Sequence, residues 1–157
     1  MTKFRNFTDP SKPLKIYVAG PYTPTNGDSH DAARIAYANT KRAIQAGIAL
    51  IEKGQIPFIP HLTHFIHLET DKPLPKEFYY EYDMAWLKCC DALLYLGSSE
   101  GADKERKWAE QNGLMIFESL NDVPIFKKTD SEEQEVLSFP SDHNFSPGVK
   151  QNPLVSP

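Results

Sequence analysis

The fold of this chain is decided by residues 82–105, YDMAWLKCCDALLYLGSSEGADKE. The stretch begins at the end of a helix, passes through a short buried strand and a turn of small residues, and enters another helix. Open α/β sheets place their ligands at the carboxyl ends of strands, beside the starts of the following helices. The residues of this stretch that could carry chemistry are Asp83, Asp91, Ser99, Gly101 and Glu105.

The preceding sequence predicts a parallel sheet. KIYVAG at 15–20 and IPFI at 56–59 are short apolar runs typical of buried strands. Between them, N-cap candidates at 28–31 and a glycine at position 54 bound a long helix. A strand, a helix and a strand in about 45 residues have the size of a βαβ unit, so the pattern predicts an α/β protein.

The remaining elements follow the same alternation. Helices are predicted over 76–90 and 103–112, and 60–75 is interpreted as a loop or irregular helix. Further strands are predicted after Asp91, over 114–117 and over 123–126, giving about five in all. Asp91 itself is interpreted as a cap or turn residue between helix and strand.

Two helical stripes are expected to face the core. The first comprises Ile44, Ile48 and Ile51, with Ala43, Gly47 and Leu50 beside them; the second comprises Phe78, Tyr82, Ala85 and Cys89. Cys89 and Cys90 are adjacent, point about 100° apart on a helix, and are both expected to be buried thiols and not a disulfide.

Bulk properties indicate one domain of 157 residues. Residues 1–14 are interpreted as an N-terminal arm, 15–126 as the domain and 127–157 as a polar C-terminal tail, mobile or placed against a neighbouring subunit.

Net charge is −4, so no nucleic-acid or anionic membrane partner is expected. No apolar run is long enough to span a membrane and no signal-peptide core is present, so a cytoplasmic location is expected.

Three loops follow the first three strands and meet at one edge of a parallel sheet. They bring together Tyr17, Gly20, Tyr22, His61, His64, Ser99, Gly101 and Glu105. Glu105 is either a carboxylate stabilised by the helix dipole or a nucleophile in a cleft. Asp83 lies on an aromatic-rich helix, where it is either solvated or desolvated with the raised pKa of a general acid.

Cofactor sites are weakly indicated. His61, His64 and His67 recur every three residues and could ligate a metal with Glu69 or Asp71, but a pocket that stacks on a ring is the favoured interpretation. The small-residue loop 97–102, GSSEGA, could approach an anion, yet it is neither a Walker A loop nor a dinucleotide fingerprint. We therefore expect no metal and no cofactor.

Three motifs resemble those of the nucleoside 2-deoxyribosyltransferase family, whose relatives include 2′-deoxynucleoside 5′-monophosphate N-glycosidases. They are KIYVAGPYT at 15–23, D-x-x-W-L-x-x-x-D from Asp83 to Asp91, and S-x-G-x-x-x-E from Ser99 to Glu105, and the resemblance covers about residues 15–118. It implies a flavodoxin-like sandwich, a homo-oligomer, and cleavage of a nucleoside by double displacement with transfer to a free nucleobase. By the same resemblance, Glu105 is the nucleophile, Asp83 the acid/base and Tyr17 the group that orients the nucleophile.

Substrate-binding roles are expected for Gly20, Tyr22, His61, Ser99 and Gly101. Some members of the family carry an aspartate where Ser99 stands, and the monophosphate N-glycosidases carry a serine, so hydrolysis of a deoxynucleotide is an alternative. Arg106 and Lys104 are the candidate cations for a phosphate. A non-catalytic nucleotide-binding module of the same fold is the third hypothesis.

Overall fold

A computed structural model gives the arrangement of residues 12–23, 29–72 and 74–127. The strands are β1 (Lys15–Ala19), β2 (Ile56–Phe58), β3 (Ala92–Tyr95) and β4 (Met115–Phe117). The α-helices are α1 (Ser29–Glu52), α2 (Thr63–Glu69), α3 (Lys76–Leu87) and α4 (Glu100–Gln111). Short 3₁₀ turns occupy Pro60–Leu62 and Leu120–Asp122.

The four strands of the described residues form one parallel sheet in the order β2-β1-β3-β4. β1 pairs with β2 on one side and with β3 on the other, with Tyr17 opposite Phe58 and Leu93. The chain therefore reverses its direction of winding between β1 and β3, which creates a crevice beyond their carboxyl ends. The α/β architecture predicted from the sequence is confirmed and is that of a flavodoxin-like sandwich.

Alternate residues of β1 enter two separate cores. Ile16 and Val18 pack with α1, whereas Tyr17 and Ala19 pack with α3 and α4. Successive side chains of a strand point to opposite faces, so one five-residue strand holds both helical layers. This alternation places Tyr17 on the same side of the sheet as α3 and α4.

The predicted core stripe of α1 is displaced by about one residue. The buried residues are Ala43, Ala46 and Leu50, whereas Ile48 and Ile51 are 50% and 60% exposed. Small residues occupy the contact because the helix lies very close to the chain that follows β2. A Cβ atom at Gly47 would clash with the Ile59 side chain, which would have to move to admit a larger residue.

The stripe predicted for α3 is also wrong. Its inward face carries Met84 and Leu87, with Cys90 just beyond the helix, while the predicted stripe is largely exposed and Cys89 is solvent-accessible. The aromatic rings of α3 instead contact one another and Phe58 of β2. Phe58–Trp86 and Phe78–Tyr82 are stacked at centroid separations of 5.1 Å and 6.1 Å, and Tyr82–Trp86 is edge-to-face at 6.4 Å. Asp83 lies four residues before Leu87, on the same face of α3, and its side chain therefore also points inward.

The segment 123–126, predicted as a fifth strand, pairs with none of the strands in the described residues. Pro124 lacks the N–H that a ladder needs. The segment is held by contacts with the end of α1, where Lys53 Nζ donates to the Val123 carbonyl and the Phe126 amide donates to the Lys53 carbonyl.

Most of the predicted arm (1–14) and tail (127–157) lies outside the described residues. Within the described residues, no helix combines the length and apolarity needed to cross a bilayer. Asp91 accepts a hydrogen bond from the Lys15 amide at 2.9 Å, at the edge of the sheet opposite the crevice, which fits its predicted structural role.

Candidate active site

A cleft of about 360 Å³ opens at the carboxyl ends of β1 and β3. Its walls are the turn after β1, the 3₁₀ turn after β2, one side of α3 and the first two turns of α4. The lining residues are Gly20, Tyr22, Thr23, Pro60, His61, Thr63, Lys76, Asp83, Ser99, Glu100, Gly101, Ala102 and Glu105. Seven of the eight residues predicted for catalysis or substrate binding are among them, and Tyr17 lies directly behind Glu105.

The carboxylate of Glu105 is fixed by a buried hydrogen bond. Tyr17 Oη donates to Glu105 Oε1 at 2.7 Å, the Tyr17 side chain is fully buried and Glu105 is 9% exposed. Glu105 is the sixth residue of α4 and so lies past its first turn. A buried carboxylate with a phenol donor is unlike the solvated helix-start glutamate that was the alternative interpretation, and it is oriented toward the cleft.

Asp83 reaches the same cleft from α3. Its Oδ1 is buried and has no hydrogen-bond partner in the described part of the chain. Burial therefore raises the pKa of Asp83 to about 7. An acid with a pKa near neutrality, lining a cleft, has the properties that proton transfer to a leaving group requires.

The two carboxyl groups influence each other. Burial raises the pKa of Glu105 to about 8, the hydrogen bond from Tyr17 lowers it, and the charge of Asp83 raises it again. The two carboxyl groups therefore lose their protons in two steps, and neither step can be assigned to one residue alone. Burial raises the pKa of both carboxyl groups; the form able to react keeps its proton on Asp83 and its charge on Glu105, which Tyr17 stabilises by donating a hydrogen bond.

The start of α4 forms one wall. Ser99 is the N-cap, and its Oγ accepts a hydrogen bond from the Ala102 amide at 3.2 Å. A Cβ atom at Gly101 would meet nothing within 4 Å, so the cleft is open at this point. Gly20 also lets the turn after β1 lie close to Leu96, because a Cβ atom at this position would be only 3.0 Å from the Cβ of Leu96.

The opposite wall is held by two histidines. His61 Nε2 donates to the Pro21 carbonyl at 3.0 Å, which leaves Nδ1 buried without a partner in the described residues. His64 Nδ1 lies 2.7 Å from Tyr22 Oη. Both rings therefore hold the loop after β1, and burial lowers the pKa of each, which favours the neutral form.

Metal binding has no structural support in the residues described. No group of three or more His, Cys, Asp or Glu side chains in them is placed to hold a metal ion. Of the histidines considered for such a site, His67 is exposed, and its Nδ1 lies 3.4 Å from Tyr79 Oη.

The cations considered for a phosphate are placed elsewhere. Arg106 covers the Tyr95 ring and pairs with Glu110 and Glu118 at 2.9 Å and 2.6 Å, and neither Arg106 nor Lys104 lines the cleft. The cleft contains Lys76 instead, at the first position of α3. Sequence reasoning missed Lys76 because nothing local indicates that the start of α3 faces the start of α4.

We expect Glu105→Gln to stabilise the protein at alkaline pH. The folded pKa of Glu105 is raised, so its contribution to stability is intact below about pH 4 and is lost as the pH rises toward 8. The neutral amide avoids this loss and gives a gain on the order of 2 kcal/mol at pH 8. Denaturant unfolding of Glu105→Gln and wild type at pH 5 and pH 8 measures this difference in the free energy of unfolding, and Glu110→Gln is the exposed control. A gain that is the same at both pH values would contradict the raised pKa of Glu105.

Comparison with known families gives a match over most of the chain. A family model with the description "Domain of unknown function (DUF7768)" matches residues 14–119, which include every element of the sheet and the whole cleft lining. A comparison with curated proteins finds no match.

Proposed function

We propose, for a chain that belongs to the DUF7768 family, that the cleft breaks the N-glycosidic bond of a deoxynucleoside and transfers the deoxyribosyl group to another base. The observation that carries the proposal is the buried Tyr17–Glu105 hydrogen bond beside Asp83. It provides an oriented carboxylate and a second carboxyl group with a raised pKa in one cleft. The resemblance of the three sequence motifs to nucleoside 2-deoxyribosyltransferases supports the same chemistry.

In the first step, Glu105 attacks C1′ of the sugar. A bond forms between a Glu105 oxygen and C1′ while the bond from C1′ to the base nitrogen breaks. The electron pair of the broken bond stays on the base, which takes a proton from Asp83 and leaves neutral. The product is a glycosyl ester, the intermediate typical of retaining carboxylate pairs.

In the second step, the acceptor base attacks C1′ of the ester. Its nitrogen forms the new bond and loses a proton to the Asp83 carboxylate, and Glu105 leaves as the free carboxylate. The two carboxyl groups thus return to their starting protonation states. Water in place of the acceptor base would give free deoxyribose, so the same residues also support hydrolysis.

Hydrolysis of a deoxynucleoside monophosphate is the second candidate, and Ser99 is the residue that favours it. The Ser99 Oγ accepts from the Ala102 amide, and its hydroxyl hydrogen stays available to a ligand in the cleft. A nucleotide-binding module without turnover is the third candidate. The paired Tyr17 and Glu105 argue against it, because a binding site does not need a buried carboxylate.

A substrate panel separates these candidates. Deoxynucleosides and their 5′-monophosphates are incubated with and without a free acceptor base, and the products are separated by chromatography. Exchange of the base supports the transferase, and release of base without an acceptor supports the hydrolase. Failure of every donor to lose its base, with binding retained, would leave only the binding module.

We expect Tyr17→Phe to reduce kcat by about 10- to 100-fold, because a hydrogen bond to a charged group contributes about 1.5–3 kcal/mol. The Tyr17 hydroxyl lowers the pKa of Glu105, so its removal should also move the acidic limb of the pH–rate profile to higher pH. Stacking on Phe58, at a centroid distance of 5.6 Å, is retained. A fall in rate with an unmoved profile would show that Tyr17 acts on the packing of the strand and not on Glu105.

We also propose that the chain forms a homo-oligomer. Large apolar side chains are exposed on α2 and α3, which is a common property of surfaces that bind another protein. They are Phe65, Ile66, Leu68, Phe78, Tyr80 and Trp86, each between 42% and 62% exposed. Sedimentation velocity should give a species larger than one chain at micromolar concentration, and a monomer throughout would contradict this proposal.

A further inference from the structure

On the basis of the proposed function, we propose that Glu100 excludes 5′-phosphorylated donors, so that the cleft takes uncharged deoxynucleosides. Glu100 is the first residue of α4 and lines the cleft. It is not among the residues to which the sequence motifs assign a role.

The charges of the cleft oppose an anionic substrate. Among the described lining residues, Lys76 is the one lysine or arginine, against the three carboxyl groups of Asp83, Glu100 and Glu105. Burial favours the neutral form of His61, so this side chain adds no positive charge. In the reactive form, with the proton on Asp83 and the charge on Glu105, the lining carries two negative charges against one positive charge. A phosphate dianion would add to this excess.

The single lysine of the lining is already engaged by Glu100. Lys76 Nζ lies 3.6 Å from Glu100 Oε2, and Lys104 Nζ lies 2.7 Å from Glu100 Oε1. Each carboxylate oxygen therefore has its own cation. The pairs are solvent-exposed and contribute little to folding stability, so their importance lies in where they hold the charges.

Glu100 also places a negative charge at a helix terminus that would otherwise attract a phosphate. The first turn of a helix offers unpaired N–H groups and a positive dipole end, which attract anions. Glu100 and Glu105 are five residues apart on α4, roughly 7.5 Å along the axis, and both line the cleft. A 5′-phosphate on a deoxyribose held at Glu105 would stay within the cleft, where the carboxylate of Glu100 repels it.

Displacement of Glu100 by a phosphate would not solve the charge problem. A phosphate that took Lys76 and Lys104 would leave Glu100 without both of its cations, a few ångströms from the new anion. Like charges at such distances repel each other by an amount that corresponds to about tenfold in affinity or more. Neutral 5′-hydroxyl groups escape this repulsion.

The test compares a deoxynucleoside with its own 5′-monophosphate as the donor. We expect the wild-type kcat/KM to be at least about tenfold higher for the nucleoside at low salt, and the ratio to approach one as salt is added. In Glu100→Gln, the value for the monophosphate should rise about tenfold while that for the nucleoside changes less than about threefold. Glu110→Gln removes the same charge from α4 outside the cleft and should leave the ratio as in the wild type.

The results of this test separate the role of Glu100 from the proposed cleavage of the glycosidic bond. A monophosphate that is used as well as the nucleoside by the wild type, or a ratio unmoved by Glu100→Gln, would overturn the role of Glu100 and leave the glycosidic chemistry in place. No base release from either donor would overturn the proposed function instead. The salt dependence of the wild-type ratio gives the same answer if the Glu100→Gln protein does not fold.

Discussion

The Glu105→Ala protein is expected to lose base release and base exchange by at least about a thousandfold, because it lacks the carboxylate that we propose as the nucleophile. In the structure, Glu105 is the group that Tyr17 holds from behind the cleft, and Asp83 approaches from another helix. Binding of the deoxynucleoside should change far less than the rate, since the remaining walls of the cleft are unaltered.

A covalent intermediate gives the sharper measurement. The wild-type protein, mixed with donor in the absence of an acceptor base and then denatured, should gain the mass of one deoxyribosyl group on the peptide that contains Glu105. Glu105→Ala should show no such gain, and Glu110→Gln, changed one and a half turns further along the same helix, should behave as the wild type. An adduct on another residue, or turnover by Glu105→Ala, would refute the assignment.

Asp83→Asn is expected to have the second largest effect, a fall of about 10²- to 10⁴-fold in kcat with natural donors. The asparagine amide matches the carboxyl group in size but cannot give a proton to the departing base. The loss should be much smaller for a deoxyribosyl donor whose leaving group departs as a stable anion. This dependence on the leaving group separates a missing acid from a damaged cleft.

The pH profile provides a second signature of Asp83. Burial raises its pKa to about 7, and the first step needs its protonated form, so activity should decline as the pH rises through that range. Asp83→Asn should lack this decline. Glu81→Gln, two residues earlier on the exposed side of α3, is the matched control and should keep both the rate and the profile. An unchanged alkaline limb in Asp83→Asn would show that another group supplies the proton.

The elements were predictable because their signals are local. The run ALLYL between a helix and a small-residue turn predicted β3, and the alternation of strands and helices predicted a parallel sheet. The faces of the helices were less predictable. Tertiary packing placed Ala43, Ala46 and Leu50 in the core and left Ile48 exposed, because the close approach of α1 to Ile59 at Gly47 sets which face of the helix is buried.

By itself, the sequence determined the α/β alternation, the strand that carries Tyr17 and the loops that meet at the carboxyl edge, because periodicity and turn chemistry act over a few residues. Only the tertiary structure decided that Glu105 is buried against Tyr17, 88 positions away in the chain, and not a solvated helix-start carboxylate. It also decided which way α3 turns, and therefore that Asp83 faces the cleft and Lys76 meets Glu100. Burial and long-range pairing set the pKa of a carboxyl group, and neither can be derived from its neighbours in sequence.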